Sequence, residues 1–283
     1  MNSLQLNNRF DLDSMRMLIN GDLVASESGR SFDSINPTNG NVITAVPEAT
    51  RADVTKAIDA AENAQPEWAG LPVAERSRYM RELAEQIAKY GEELLRVEVL
   101  DTGNIISEMR RDVQASVNQL NYYAGLGYEL KGNTIPATPY NLHITIRQPY
   151  GIVGRIIPFN HPLMFAAAKM GAPLIAGNTM IIKPSEQSPL SACCLAELCA
   201  EFLPPGVVNF VTGFGDEAGD AIVCDPRVKR IAFIGSVETG MMIQRRAAEH
   251  AVKNVSLELG GKNPMIIFPD ADFDKAVVGA IKG

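Results

Sequence analysis

Ile152-Val153-Gly154-Arg155-Ile156-Ile157-Pro158-Phe159-Asn160-His161-Pro162 is the stretch that decides how this chain folds. A short apolar strand runs into a turn stiffened by two prolines, and a helical pattern opens at Pro162. The same rhythm repeats downstream. Apolar strands are expected at 152–157, 179–182, 207–211, 230–233 and 255–257, alternating with helices near 162–176, 189–202, 216–224 and 238–251. Short apolar strands separated by crossover helices imply a parallel, doubly wound α/β sheet of Rossmann-like type, covered on both faces. Such sheets bind ligands at the carboxyl ends of their strands, so the residues just after each strand matter most.

Outward from this core the pattern changes. Residues 17–46 read as short hairpin-like strands broken at Asn20-Gly21, Ser28-Gly29 and Asn39-Gly40. Amphipathic helices are expected at 52–63, 74–90 and 107–126, forming a helical layer ahead of the nucleotide fold. Between the layer and the core, Leu142-His143-Ile144-Thr145-Ile146-Arg147 alternates with period two, the mark of an antiparallel strand with one dry face. It is either an edge strand of its own domain, which the alternation alone favours, or an arm reaching toward another subunit. The expected divisions are N-terminal strands and helices over 1–131, a bridging or oligomerisation arm over 132–150, the nucleotide-binding core over 151–258 and a further segment over 259–283.

With 283 residues, 46% hydrophobic and 21% charged, the chain has the composition of a soluble globular protein of one or two domains. A net charge of -7 offers no general attraction to phosphate backbones or anionic lipid, which argues against nucleic acid and membrane partners. Residues 1–13 lack a basic region followed by an apolar run, so no signal peptide is expected and the cytoplasm is the default location. The most apolar stretch, 163–182, is interrupted by Lys169, Gly171, Pro173, Gly177 and Asn178 and reads as buried helix and strand rather than a bilayer span. Cys193, Cys194, Cys199 and Cys224 have neither CxxC spacing nor histidines at metal-ligand spacing. They read as small buried hydrophobes, and no metal site is expected.

Each strand end carries a candidate. Asn160 either donates to an oxygen that becomes negative in a transition state or caps the helix opening at Pro162. In Lys183-Pro184-Ser185-Glu186 the cation suits ribose or phosphate oxygens, and the carboxylate suits a ribose 2′-hydroxyl while repelling a 2′-phosphate, favouring NAD over NADP. A solvated turn is the plain alternative. Gly213-Phe214-Gly215-Asp216-Glu217-Ala218 matches GxGxxA only formally, with acids where pyrophosphate would approach, and reads as a tight strand-to-helix turn. Ser236, after Phe233-Ile234-Gly235, either meets a pyrophosphate with the free amides of a helix start or simply caps that helix. Glu258 precedes Gly260 and Gly261, which permit close backbone approach. It is either a general base whose proton affinity burial raises, or a strand-end charge facing solvent.

The order PFNHP, KPSE, FIGSxxxG and LELGGK, each at a strand end, resembles the aldehyde dehydrogenase superfamily from about Met17 to the last residue, over the N-terminal part of that family's pattern. The resemblance implies NAD-dependent oxidation of an aldehyde to a carboxylic acid through a cysteine thioester. It assigns the oxyanion donor to Asn160 and activation of the deacylating water to Glu258. It places Ile156, Pro158, Lys183, Ser185, Glu186, Gly215, Gly235, Ser236, Leu259 and Gly260 around the cofactor, with Ser236 on the pyrophosphate. It also implies a homo-oligomer for the complete enzyme. Two residues depart from the pattern: His161 stands where an aromatic is frequent, and Ile234 where threonine is frequent. No cysteine occupies the family's nucleophile position, and 280–283 falls inside a helix expected to begin near Asp272. The expectation is therefore a partial chain, catalytically inactive and prone to self-association when alone. The alternative is a stand-alone nucleotide-binding module without catalysis.

Overall fold

A computed structural model describes residues 9–282. Residues 1–8, most of the stretch read for a leader, and Gly283 at the end of the expected terminal helix lie outside the described residues. The first elements are two hairpins, β1 (Met17–Ile19) with β2 (Asp22–Val24) and β3 (Ser31–Ile35) with β4 (Val42–Pro47). Asn20 and Gly21 both take positive φ, 56° and 85°, the tight-turn geometry foreseen for Asn-Gly. Four helices follow: α1 (Arg51–Gly70), α2 (Val73–Lys89), α3 (Gly91–Thr102) and α4 (Ile106–Leu126). A capping box between Thr50 and Asp53 starts α1. Helix α1 runs well past residue 63, and α3 was not anticipated.

β5 (Thr134–Thr138) and β6 (Asn141–Ile144) pair only with each other, and every residue in them is exposed. The segment 142–147 is thus not an edge strand of the main sheet. The dry face expected of it is not found within the described residues either: Leu142, Ile144 and Ile146 are all more than half open to solvent.

The core then alternates β7 (Ile152–Ile156), α5 (Pro162–Ala167), α6 (Gly171–Ile175), β8 (Thr179–Lys183), α7 (Leu190–Phe202), β9 (Val208–Phe210), α8 (Asp220–Cys224), β10 (Val228–Ile234), α9 (Val237–His250) and β11 (Asn254–Glu258). A final helix, α10 (Phe273–Lys282), starts one residue after Asp272. The single helix expected over 162–176 is two. An uninterrupted helix would bring the Pro173 ring against the Lys169 carbonyl with no N–H to meet it; instead Pro173 lies in the first turn of α6, where no donor is needed. The expected helix over 216–224 begins as a π-helical turn at Gly215–Gly219.

The main sheet runs β11-β10-β7-β8-β9-β1-β2: five parallel strands in doubly wound order, extended at one edge by the antiparallel N-terminal hairpin. Alternation within strands divides the core in two. Val153, Met180, Ile182 and Phe210 face α2 to α7, whereas Ile152, Ile181, Val211, Ile231 and Phe233 face α1, α8 and α9. The fold class read from the sequence is the one observed.

Candidate functional site

The register of the parallel strands aligns the candidates. Glu258 lies opposite Ile234, Phe233 opposite Ile156, and Ile156 opposite Lys183. With neighbouring strands about 4.8 Å apart, the row from Glu258 to Lys183 spans roughly 14 Å along the carboxyl edge of the sheet. Asn160 and Ser236 follow two of the same strands within a few residues. Backbone bonds continue the row past the strand ends: Gly235 N donates to Glu258 O and Ile157 N to Lys183 O, each at 3.0 Å.

The loop carrying Asn160 is fastened by the helical layer and by the segment just before α7. Asn104 Nδ2 donates to the Asn160 carbonyl at 2.6 Å, Ser188 Oγ donates to the Phe159 carbonyl at 2.8 Å, and Glu98 Oε1 accepts from Leu163 N at 3.1 Å. His161 Nδ1 meets Asp112 Oδ2 at 2.6 Å. The backbone is held while the Asn160 side chain, exposed, makes no hydrogen bond within the described residues. His161, not Asn160, is the residue immediately preceding α5, and no side chain caps that helix; the capping alternative for Asn160 is not what the structure shows.

These tethers came from residues that sequence reasoning passed over. Leu94, Glu98 and Asp101 share one face of α3 and all are buried. A carboxylate at helical spacing from buried leucines is the signal that was available. Burial pushes Glu98 up to about 8, opposed by the Leu163 bond and reinforced by Asp112 and Asp101; its second oxygen has no partner. Asp101 is raised to about 6 by burial while accepting from Ser34 Oγ at 2.6 Å and Leu190 N at 2.8 Å. Burial also raises Asp112, against the pull of His161. Two acids of α3 thus hold backbone amides at the starts of α5 and α7.

Ser236 caps α9, its Oγ accepting from Thr239 N at 3.1 Å. The helix geometry leaves the Val237 and Glu238 amides without intrahelical acceptors, so the α9 start offers anion-directed donors beside Gly235. Alongside lies a groove of about 560 Å³ between α8 and α9. Ile156 and Gly215, both anticipated, line it; Gly219, Thr239, Met242 and Ile243 were not. Gly215 and Gly219 present no side chain to it, leaving a slot against the apolar residues of α9. Arg246 bonds Asp220 at 2.8 and 2.9 Å and, with Arg51 at 2.8 Å, holds that carboxyl well below the usual range.

Lys183 is almost fully buried. Its Nζ donates to the Pro184 carbonyl at 2.9 Å and sits 3.6 Å from Glu186 Oε2. Burial lowers its proton affinity, partly offset by Glu186. Lys183 and Glu186 are therefore brought together as a pair whose carboxylate remains partly open to solvent. Ser185 Oγ accepts from Gln187 N, and Pro158 is half-buried on the loop before Asn160.

Of the two readings of Glu258, the structure shows the strand-end charge facing solvent: among the described residues β11 is an edge strand, and Glu258 is exposed. Gly260 and Gly261 are exposed with open space around them, so the close backbone approach expected there is also missing. Leu259 turns back over α9 instead: a Cβ at Gly240 would meet its Cδ2 at 2.7 Å, which keeps position 240 small.

All four cysteines are buried and free. Burial raises Cys193, Cys194 and Cys199, and raises Cys224 with help from its Asp220 bond, so each is held away from the reactive thiolate.

Comparison with known proteins gives one consistent result. The model of the aldehyde dehydrogenase family matches residues 23–283. A putative aldehyde dehydrogenase, DhaS, of Bacillus subtilis (strain 168) is 43% identical over 272 residues, which are 95% of this chain and 55% of that protein. A hydroxyisobutyraldehyde dehydrogenase of Mycolicibacterium austroafricanum is 40% identical over 268 residues, 94% of this chain and 53% of that one. The solved NAD+ complex of an aldehyde dehydrogenase from Bacillus cereus superposes with a TM-score of 0.92 at 43% identity, over 95% of this chain and 56% of the other. The chain spans about half the length of the curated relatives it matches.

Proposed function

Because the chain belongs to the aldehyde dehydrogenase family, we propose that it carries the NAD site and part of the catalytic apparatus of an enzyme oxidising an aldehyde to a carboxylic acid. The observation that carries this reading is the row itself: Lys183 and Glu258 end, and Asn160 and Ser236 follow, four adjacent parallel strands beside a groove of about 560 Å³. The residues present fit a dinucleotide. The groove between α8 and α9 offers a glycine-walled slot for an adenine, Glu186 a carboxylate for the ribose 2′-hydroxyl, and the α9 amides with Ser236 a seat for pyrophosphate. The same Glu186 carboxylate opposes a 2′-phosphate, which favours NAD over NADP.

NAD, when bound, supplies the hydride acceptor. The chain's own residues bind and orient. The Asn160 carboxamide, on a loop tied at three backbone points and without a hydrogen bond among the described residues, is disposed to donate to a developing oxyanion. Glu258, at the other end of the row, is the candidate to take a proton from water. The buried cysteines support the expectation that none of them is the nucleophile and that this polypeptide alone does not turn over. Those buried free thiols also favour a reducing, cytoplasmic setting, and the family reading carries with it a homo-oligomeric complete enzyme.

Calorimetric titration of the purified chain with NAD+ tests the assignment. Glu186→Ala and Ser236→Ala are each expected to weaken binding about threefold to thirtyfold, the worth of one hydrogen bond to a polar ligand. Equal affinity in the wild type and both variants would refute the assigned site, and aldehyde-dependent reduction of NAD by the chain alone would overturn the expectation of inactivity.

A further inference from the structure

The groove between α8 and α9 is crossed by an ion pair. Thr239, Met242, Ile243 and Arg246 recur at helical spacing, so one face of α9 lines the groove. From Thr239, near the helix start, to Arg246 the helix rises roughly 10 Å. Arg246 therefore stands at the end of the groove remote from Ser236. Its Nε donates to Asp220 Oδ1 at 2.8 Å and its Nη2 to Asp220 Oδ2 at 2.9 Å, a bidentate bond from α9 to the first residue of α8. Nη1 donates to Glu249 Oε2 at 3.1 Å, which holds a further edge of the guanidinium.

The opposite wall is held from outside. Asp220 also accepts from Arg51 Nη2, on the first residue of α1, at 2.8 Å and from Cys224 Sγ at 3.3 Å. In the π-helical turn ahead of it, Glu217 accepts from Arg30 Nη2 at 2.5 Å and from Arg51 N at 3.2 Å. Phe214 packs on Phe32 of β3 with ring centroids 5.3 Å apart. The wall carrying Gly215 and Gly219 is thus fastened to the N-terminal hairpin and α1, and the Arg246 bond ties α9 to that wall.

A carboxylate held by two guanidiniums, one of them bidentate, and a planar guanidinium fixed along two edges form a rigid barrier. We infer that the Arg246–Asp220 pair is the end wall of the nucleotide groove and makes it selective for the size of the base, taking an unsubstituted adenine and rejecting one enlarged by a fused ring. This rests on reading the groove as the seat of NAD. The glycines admit the base from the side, and the ion pair limits how far it extends. A role confined to holding the fold lowers the affinity of every nucleotide together, whereas a wall against the base changes the ratio between bases of different size. Arg51 and Arg30 act only through Asp220 and Glu217 and are positioning residues.

The probes are NAD+ and its etheno derivative, in which a two-carbon bridge closes a third ring on the adenine, each titrated calorimetrically into the purified chain. The wild type is expected to bind NAD+ about tenfold or more tightly than the derivative, the penalty of forcing extra carbons into a filled space. Arg246→Ala removes the wall and leaves Asp220 paired with Arg51, and the ratio is expected to fall to about threefold or less. Should that variant fail to fold by circular dichroism, Asp220→Ser decides, because it releases Arg246 from α8, and the same narrowing is expected. A wild type that binds both compounds equally, or a ratio unchanged in the variant that folds, overturns the inference; NAD+ affinity that still responds to Glu186→Ala and Ser236→Ala then leaves the cofactor site standing. An absence of saturable NAD+ binding overturns both.

Discussion

Replacing Glu98 by glutamine tests the unanticipated bracing of the Asn160 loop. In the native protein this carboxyl titrates near 8 instead of its ordinary 4.5, because it is buried with one oxygen unpartnered. Between those values the folded state holds a proton that the unfolded state has released. Raising pH therefore removes stability across that window, at about 1.4 kcal/mol per pH unit. The stabilisation is complete below pH 4.5 and lost once pH passes about 8. The full swing is on the order of 5 kcal/mol, a large part of a typical domain's stability. Glu98→Gln keeps an oxygen for Leu163 N but cannot ionise; its amide nitrogen inherits the unpartnered position at a cost of about 1–3 kcal/mol that does not vary with pH. Urea unfolding from pH 5 to pH 9, followed through the fluorescence of the single tryptophan, Trp68, supplies the measurement; the residue is buried and its Nε1 bonds the Leu174 carbonyl at 3.0 Å. The wild-type curve is expected to fall relative to the variant's by about 1.4 kcal/mol per unit up to pH 8 and to run parallel above it. Asp101 and Asp112 titrate in both proteins; their coupling to Glu98 broadens the fall without changing its sign. Parallel curves over the whole range would refute the buried proton.

Ser236→Ala is expected to destabilise the chain by about 1 kcal/mol even without nucleotide, since the hydroxyl caps α9; an unchanged urea midpoint would contradict that role. A thiol reagent at neutral pH is expected to label none of the four cysteines of the native chain within minutes and all four in urea, read by mass spectrometry; rapid native labelling of any one would contradict its burial.

What the sequence disclosed of this fold is what repeats locally. Apolar runs of strand length with crossover helices were enough for the parallel sheet, and Asn20-Gly21 for its hairpin edge. The turn at Pro173 was legible in principle, but apolar residues on both sides disguised two short helices as one. The residues around Asn160 were harder, because Glu98, Asn104 and Asp112 act on it across more than 45 positions of chain. A charged residue inside an apolar helix face signals a buried partner without saying which, and α3 itself went unread.

Glu258 shows the opposite limit. Its strand was read correctly from Val255 and Leu257, which pack toward α9, but the neighbours of an edge strand on its open side are not written in its own alternation. The sequence therefore located the carboxylate at the strand end and left its burial undecided. The same reasoning explains Arg155. Arg155 is the one charged residue of its apolar strand, and it is the register with β10 that brings Arg230 to the same side of the sheet. A strand pattern specifies which face a side chain takes; the chemistry of that face is fixed by the adjacent strand, and in a doubly wound sheet the adjacent strand lies many residues away.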